Sequence, residues 1–413
     1  MSNRESSGVG PRVAAPLGLL VAALLCVSPA SSRADNDCRG KGSLRLVNGK
    51  IHTMDAKNRV VSSVLIEDGE FAAVGGHGSG SQGCARVIDL RGRTVVPGLI
   101  DNHNHIILLG LRPGRDVRLD KARSIAKAQE ILAAKASTVE RGEWVVTLGG
   151  INRNQFVPPP AAARFPNLTE LDAALPANPT LLFEGFFGPS QTNSIGKAFF
   201  ESKGIAVGAD GFIAANAPSL QALQALRALP QHNNKQAKDR GLLDALGFGL
   251  SVGLTTHIDQ GSFHFAESFF GNPGTAADGL ASFDQYRAFD SAKTLHAAGK
   301  LPARLQVNYL HIEPDVATPQ LAQRLNNTTT LLGDEWLSNG GIGEFTGGSP
   351  FGGLGTPPWM NGTRLVAQNG WRNENHSLSA TDFTTILDFW NTVNTELKTT
   401  GIAQTPAAPD PAK

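Results

Sequence analysis

The chain has 413 residues, of which 41% are hydrophobic and 18% charged, and this is enough for a large core and more than one domain. Its 37 basic and 36 acidic residues give a formal net charge of +1. This balance gives no electrostatic reason to expect nucleic acid or an anionic membrane as a partner. The composition favours a small, near-neutral substrate.

Residues 1–34 predict an export signal. Arg4 and Arg12 precede an apolar stretch at 13–27, and residues 32–34 (SRA) have the small-x-small form of a cleavage site. The apolar stretch is too short for a comfortable membrane span. We therefore expect a secreted or periplasmic protein with no stable membrane insertion after cleavage, and an uncleaved anchor is the alternative.

Cysteine usage limits the chemistry of any metal site. Cys26 lies in the apolar part of the signal, while Cys38 and Cys84 flank the first folded segment. Export to an oxidising compartment allows a Cys38–Cys84 disulfide, and two free thiols are the alternative. The sequence has no CxxC pair or Cys/His zinc-finger spacing, so a metal site must use histidine and carboxylate ligands.

Residues 42–94 predict a small, β-sandwich-like sheet domain. Asn48-Gly49 and Asp68-Gly69 separate short β-like runs, and such pairs are typical of tight hairpin turns. We therefore expect antiparallel pairing in this segment. The predicted strands are 44–47, 51–54, 60–66, 71–74 and 86–90.

Residues 95–398 alternate strand-like apolar runs with helix-like stretches, which is typical of a parallel α/β sheet or barrel. An insertion at about 110–240 has its own predicted strands, 144–149 and 180–186, and such blocks usually cover an active site. The tail at 399–413, rich in Pro and Ala towards its end, is predicted to be disordered. The candidate barrel strands are 95–105, 253–259, 303–312, 340–345 and 372–378.

The first of these strands ends in the sequence PGLIDNHNH at 97–105. Side chains two residues apart on a strand point to the same side, so His103 and His105 can converge on one ion. Barrel enzymes place their active sites at the carboxyl ends of such strands. The pattern therefore predicts a metal site at this strand end.

The same run resembles the first-strand metal motif of the amidohydrolase superfamily, and in particular the amidohydrolase-3 group. The resemblance continues at 47–51, 149–156, 241–261 and 370–376 and covers nearly all of 42–398. It implies a (β/α)₈ barrel of the metal-dependent hydrolase type. It also implies hydrolysis of a C–N bond, of the amide or formamide type, in a small molecule by metal-activated water.

Carried over by position, the resemblance makes His103, His105 and His376 metal ligands. The lysine that many members use to bridge two metals is absent, and Glu344 stands in the matching strand, where its carboxylate can serve instead. One or two divalent ions are implied, with zinc expected, although such ligands also accept Mn, Fe or Ni. The alternatives are a strand-end polar role for His376 and local backbone bonding for Glu344.

Three further polar residues end neighbouring predicted strands. His257 and Asp259 share a face of the second strand, where a supporting or structural role is expected. Asp259 is nevertheless the one candidate for the catalytic base. His257 and His311, the latter at the end of the third strand, are candidates for substrate contact, and a solvated His311 is the alternative.

The sequence departs from the family pattern after His376. The family's sixth-strand histidine and eighth-strand aspartate should follow, yet the remaining stretch contains no histidine and no strand pattern before an aspartate. We therefore expect an incomplete, C-terminally truncated barrel of about five strands, whose open edges favour self-association. A catalytically inactive fragment that retains metal or ligand binding is the alternative to an active hydrolase.

Overall fold

The computed structural model describes residues 42–76, 85–157, 163–185, 188–262, 286–313, 315–327, 332–347 and 353–398. The export signal, Cys38, Cys84 and the tail at 399–413 lie outside these ranges, so the interpretations placed on them remain predictions. The chain divides into two compact units, Met1–Pro97 and Gly98–Lys413. Among the described residues, no helix is both long and apolar enough to cross a membrane.

The described part of the first unit contains two small sheets. Its strands are β1 Ser43–Val47, β2 Lys50–His52, β3 Val60–Val61, β4 Val64–Glu67, β5 Glu70–Val74, β6 Arg86–Asp89 and β7 Thr94–Val95. One sheet has the order β5-β4-β1-β6 and the other β3-β2-β7. Buried Ile51, Val64 and Leu90 belong to one apolar cluster that includes residues from both sheets.

One of the two predicted hairpins is present. Strands β4 and β5 pair antiparallel across Asp68 and Gly69, whose φ angles of 51° and 89° suit a type I′ turn. The hairpin predicted at Asn48-Gly49 is wrong, because β1 and β2 lie in different sheets and the turn redirects the chain between them. The expectation of purely antiparallel pairing is also wrong, since later strands return to pair in parallel, β6 with β1 and β7 with β2.

The second unit alternates strands and helices. Its strands are β8 Leu99–Asn104, β9 Arg115–Asp116, β10 Val145–Leu148, β11 Thr180–Phe183, β12 Ser190–Gln191, β13 Phe212–Ile213, β14 Leu254–Asp259, β15 Arg304–His311, β16 Leu337–Thr346 and β17 Arg372–Asn373. Its helices are α1 Ile106–Gly110, α2 Ile125–Ala136, α3 Leu168–Ala174, α4 Ser194–Ser202, α5 Ala217–Arg227, α6 Lys235–Ser251, α7 Asp290–Ala297, α8 Pro319–Asn327, α9 Pro357–Gln368 and α10 Ala380–Glu396.

The five predicted barrel strands form one parallel sheet in chain order, β8-β14-β15-β16-β17, which is the arrangement of half a barrel. Two predicted boundaries are wrong. The run 95–105 is divided, because Val95 pairs with β2 and Pro97, which has no backbone N–H, precedes a new strand that begins at Leu99. The last strand ends at Asn373 instead of 378.

Burial differs along this sheet. Strand β16 is buried from Gly340 to Thr346, as expected for a parallel strand covered on both faces. Strand β8 lies at the sheet edge, where Leu99 and Ile100 are 54% and 65% exposed. Self-association through such an edge remains a prediction.

The insertion forms a second sheet, of order β13-β12-β11-β10-β9, which contains both strands predicted there. Strands β9, β10 and β11 are parallel, and the two short strands beyond them are antiparallel. Two successive side chains of β10 point to opposite faces of the sheet and belong to different apolar clusters. Val146 packs in one cluster and Val145 packs in the other, so both faces of this sheet are packed. A role of the insertion in covering the active site remains a prediction.

The two segments that flank the insertion pack closely against each other. A Cβ added to Gly241 of α6 would lie 1.9 Å from the carbonyl oxygen of Gly110 at the end of α1. Glycine therefore allows the two backbones to approach. Helix α1 begins directly after His105, so this contact fixes the helix that continues the predicted metal-binding strand.

Candidate metal centre

Three predicted ligands converge at the carboxyl edge of the five-stranded sheet. His103 lies in β8, His105 follows it, and Glu344 lies in β16. One ligand atom from each of these residues lies within 4.8 Å of the other two. Among the described residues, this is the one cluster of three or more His, Cys, Asp or Glu side chains that is close enough to hold a metal ion. Two imidazoles and a carboxylate are ligands that divalent zinc accepts. The donor set therefore fits a metal ion.

The carboxylate of Glu344 lies between the imidazoles. Its Oε1 is 3.5 Å from His103 Nε2, and its Oε2 is 3.1 Å from His105 Nε2. The side chain of His103 is 59% exposed, whereas that of Glu344 is 8% exposed. The group is thus anchored in the sheet on the glutamate side and open to solvent on the side of His103.

The ring of His105 is oriented by a backbone carbonyl. Its Nδ1 lies 2.7 Å from the oxygen of Gly261, so Nδ1 carries a proton and donates it, and Nε2 faces Glu344. A histidine that ligates a metal through one nitrogen usually donates the other to such an acceptor. This bond favours the tautomer that metal binding through Nε2 requires.

Hydrogen bonds within the group shift the pKa values of His105 and Glu344 in opposite directions. Burial alone would lower the pKa of His105, but hydrogen bonds to Glu344 and Gly261 outweigh it and raise the pKa. Burial would raise the pKa of Glu344, but hydrogen bonds from His105 and His376 lower it to about 2. A carboxylate that is already ionised needs no deprotonation to bind a cation.

His376, in the segment that follows β17, touches the same carboxylate. Its Nδ1 contacts Glu344 Oε1, and its backbone N–H donates to the backbone oxygen of Glu344 at 2.8 Å. It is not a member of the compact group formed by His103, His105 and Glu344. Its role as a metal ligand remains a prediction, and its observed contact holds Glu344 in place.

Asp259 connects the segments around His105. Its Oδ2 accepts the backbone N–H of Ile107 at 2.8 Å, and its Oδ1 accepts that of Gly261 at 2.9 Å. The residue has no exposed surface, and burial raises the pKa of its carboxyl to about 6. These bonds join α1 to the loop whose carbonyl orients His105, which supports a positioning role. Its assignment as catalytic base remains a prediction.

Asp259 should give protein stability a characteristic pH dependence. Because its folded-state pKa lies above the ordinary value of 3.8, its contribution to stability is fully present below about 3.8 and is lost as pH rises through about 6. In metal-free protein, the stability advantage of wild type over Asp259→Asn is expected to shrink by about 2 kcal/mol between about pH 4 and pH 7. Urea unfolding at both pH values measures this difference, and an advantage that grows with pH would contradict the assignment.

His257 and His311 have different surroundings from the metal group. Asn104 Nδ2 donates to Nδ1 of buried His257 at 3.1 Å, and burial lowers the pKa of that imidazole. His311 is buried, and its ring nitrogens lie 2.8 Å from the Tyr286 hydroxyl and 2.8 Å from Glu313 Oε2. Protein groups thus already orient both rings, and substrate contact by either remains a prediction.

Sequence reasoning missed the groups that orient the ligands. The contact with the Gly261 carbonyl and the backbone bonds of Asp259 depend on how the loop after β14 approaches β8. Every residue has a backbone carbonyl, so the sequence does not indicate which one accepts the hydrogen bond. The spacing of His257 and Asp259 indicated only that they share a face. A signal was available in Gly110 and Gly241, because a glycine inside a helical pattern often marks a close backbone approach.

Comparison with known proteins adds an independent line of evidence. A sequence model described as "Amidohydrolase family" matches residues 86–186, which include His103 and His105. The N-substituted formamide deformylase of Arthrobacter pascens is 31% identical over 152 residues, 34% of this chain and 26% of that protein. Protein LONG AFTER FAR-RED 3 of Arabidopsis thaliana is 25% identical over 322 residues, 74% of this chain and 50% of that protein. The chain thus spans between a quarter and half of the length of these relatives.

A solved structure shares the fold. The crystal structure of an uncharacterized metal-dependent hydrolase from Pyrococcus horikoshii aligns with a TM-score of 0.52 and 16% identity, covering 86% of this chain and 68% of that one. At this identity the likeness concerns the fold alone. The matched segment at residues 86–186 and the similarity to the formamide deformylase confirm the resemblance of this chain to the amidohydrolase superfamily.

Proposed function

We propose that the protein is a metal-dependent hydrolase of a C–N bond, of the amide or formamide type, in a small molecule. The observation that carries the proposal is the convergence of His103, His105 and Glu344 within 4.8 Å at the carboxyl edge of a parallel sheet. This edge is where barrel enzymes place their chemistry. The formamide deformylase among the relatives supports the choice of bond. We further propose that the five parallel strands belong to a (β/α)₈ barrel.

In this proposal, His103 and His105 hold the ion through Nε2, and Glu344 provides a hard oxygen ligand from β16 of the same sheet. His376, which follows β17, completes the set as a fourth ligand. A bound divalent ion, for which we propose zinc, supplies the usual chemistry of such sites, since it lowers the pKa of water towards about 7 and polarises a carbonyl oxygen. The exposure of His103 leaves a side of the group open for a substrate carbonyl.

The remaining residues position this set. The carbonyl of Gly261 keeps the proton of His105 on Nδ1, so that Nε2 is available. Asp259 ties the backbone of Ile107 in α1 to that of Gly261, and thereby holds the start of α1 beside the loop whose carbonyl orients His105. A shift of a ligand by about 1 Å can cost a factor of about 100 in rate, so these supports matter for turnover.

A second candidate function is metal or ligand binding without turnover. Within the described ranges, the metal-compatible group contains a single carboxylate, Glu344, which the proposal already uses as a ligand. The oxygens of Asp259 already accept backbone N–H groups. A hydrolase also needs a group that accepts a proton from water and passes it to the leaving nitrogen, and this step contributes about 10²–10⁴ in rate.

The test is an activity assay on the whole chain. Purified protein is loaded with Zn²⁺ or Mn²⁺ and assayed for formate or carboxylate release from N-formyl and N-acyl amides. We expect turnover that a chelator stops and that His103→Ala/His105→Ala lowers at least about 100-fold. The matched control is His296→Ala, which removes an imidazole paired with Asp334 at the protein surface. Metal loading without turnover would favour the second candidate, and turnover that survives both chelation and the double substitution would refute the proposal.

A further inference from the structure

A cavity of about 480 Å³ lies in the second unit at a place that the proposed hydrolysis does not use. It is bordered by residues that precede or begin β9 and β10 and by the first turns of α6. Small-molecule sites in proteins typically occupy about 300–1,000 Å³. None of the four candidate metal ligands is among the described residues that line it. The cavity is therefore large enough for a ligand of its own.

The lining of this cavity is rich in arginine. Arg115, Arg141 and Arg240 contribute three guanidinium groups, and Glu143 contributes a carboxylate. That carboxylate is already bound by Arg115, with Nη2 to Oε1 at 2.8 Å and Nε to Oε2 at 3.0 Å. Within the described ranges, neither Arg141 nor Arg240 has a carboxylate within salt-bridge distance. Among the described residues, neither of these two guanidinium groups is therefore paired directly with a carboxylate.

Arg240 is also incompletely hydrogen-bonded. Its Nε is buried and has no partner among the described residues, and its Nη2 reaches the carbonyl oxygen of Gly114 only at 3.5 Å. Burial and the nearby charge of Arg115 lower its pKa, although Asp244 and Glu143 act in the opposite direction. A buried donor without an acceptor is costly. An oxyanion in the cavity, which Arg240 lines, would balance the charge of this guanidinium.

Other lining groups suit a polar, anionic ligand. His232 donates from Nδ1 to the carbonyl oxygen of Leu226 at 2.8 Å, so its Nε2 can accept a hydrogen bond from a hydroxyl group of such a ligand. Gln236 and Ala237 belong to the first turn of α6, a helix of 17 residues, whose N-terminus carries partial positive charge. Arginine forks match the planar geometry of carboxylate and phosphate oxygens.

We propose that this cavity binds a small molecule through a phosphate or carboxylate group, with Arg240 and Arg141 as its counter-ions. This site and the metal centre have no residue in common. It connects to the metal centre through the chain, since Arg240 is followed directly by Gly241, which packs on the helix after His105. A ligand held by Arg240 thus contacts the helix that supports the metal-binding segment.

The test is calorimetric titration of the full chain after metal has been removed by chelation and the chelator by dialysis, so that anions cannot bind at a metal. Inorganic phosphate is the first probe and succinate the second, which distinguishes phosphate from carboxylate recognition. We expect saturable binding of at least one, weakened about tenfold or more by Arg240→Gln and by Arg141→Gln, because each removes a charge-assisted hydrogen bond.

Two features of the design keep the result decisive. Arg141 is exposed in a turn, so its substitution leaves the fold intact even if Arg240→Gln lowers stability. The matched control is Arg304→Gln, which removes an arginine that stacks on Trp336 and does not line the cavity. Absence of saturable binding for both probes would overturn the proposal. Binding that both cavity variants retain at the wild-type affinity would overturn it as well.

Discussion

Replacing Glu344 with glutamine is expected to weaken divalent-metal binding at least about 100-fold, which exceeds the typical cost of losing a group that merely supports a ligand. The carboxylate of Glu344 touches three imidazoles, those of His103, His105 and His376. Glutamine keeps the shape of the side chain but lacks the negative charge that offsets the ion. Metal content after dialysis against a competing chelator, measured by atomic emission, reports the change.

A matched variant separates this effect from a general loss of charge. Glu335→Gln removes an exposed carboxylate on the approach to the same strand and should leave metal content unchanged. If Glu344→Gln and Glu335→Gln bind the metal equally well, Glu344 is not a ligand. The circular dichroism spectra of both variants should match that of wild type, which establishes that a loss of metal does not reflect unfolding.

Substituting alanine for Gly241 is expected to be the most destabilising single-methyl change in α6. The added Cβ would lie 1.9 Å from the carbonyl oxygen of Gly110, and that atom belongs to the backbone and cannot rotate away. The two helices must separate, and overpacking of this kind costs about 1–3 kcal/mol and sometimes more. Chemical denaturation gives the free energy of unfolding. Metal affinity should fall as well, because α1 starts next to His105.

The same helix provides the control. Gly247 has open space around its position, with nothing within 4 Å of an added Cβ. Alanine there is expected to increase stability by about 0.5–1 kcal/mol, because glycine has the lower helix propensity. Opposite signs for Gly241→Ala and Gly247→Ala are the expected result. Stabilisation by both would mean that α1 and α6 do not pack through Gly110.

Much of the site could be predicted because it depends on local patterns. An apolar run that ends in His-x-His specifies both the strand and the shared direction of His103 and His105, and the next predicted barrel strand along the chain is its neighbour in the sheet. Glu344 was identified from its place in the fourth barrel strand. The position of Val95 was predicted incorrectly, because its apolar character suits a strand in either unit and only the pairing with β2 decides between them.

Other features depend on contacts between distant segments. The orientation of His105 requires the carbonyl of Gly261, which lies 156 residues after His105 in the sequence. The arginine cavity combines turns near 114 and 141 with a helix that begins at Lys235. Single arginines on separate segments resemble ordinary surface charges, so their sequence pattern predicts no cavity. Only the approach of the first turns of α6 to these two turns identifies the arginines as a group.

The most direct test of the metal centre is a crystal structure of zinc-soaked protein, with anomalous diffraction recorded on both sides of the zinc absorption edge. We expect one strong anomalous peak within about 2.0–2.2 Å of His103 Nε2, His105 Nε2 and a carboxylate oxygen of Glu344. A second peak nearby would indicate a two-metal site and is compatible with the same ligands. A strong peak elsewhere, with these three side chains free of metal at saturating zinc, would contradict the assignment.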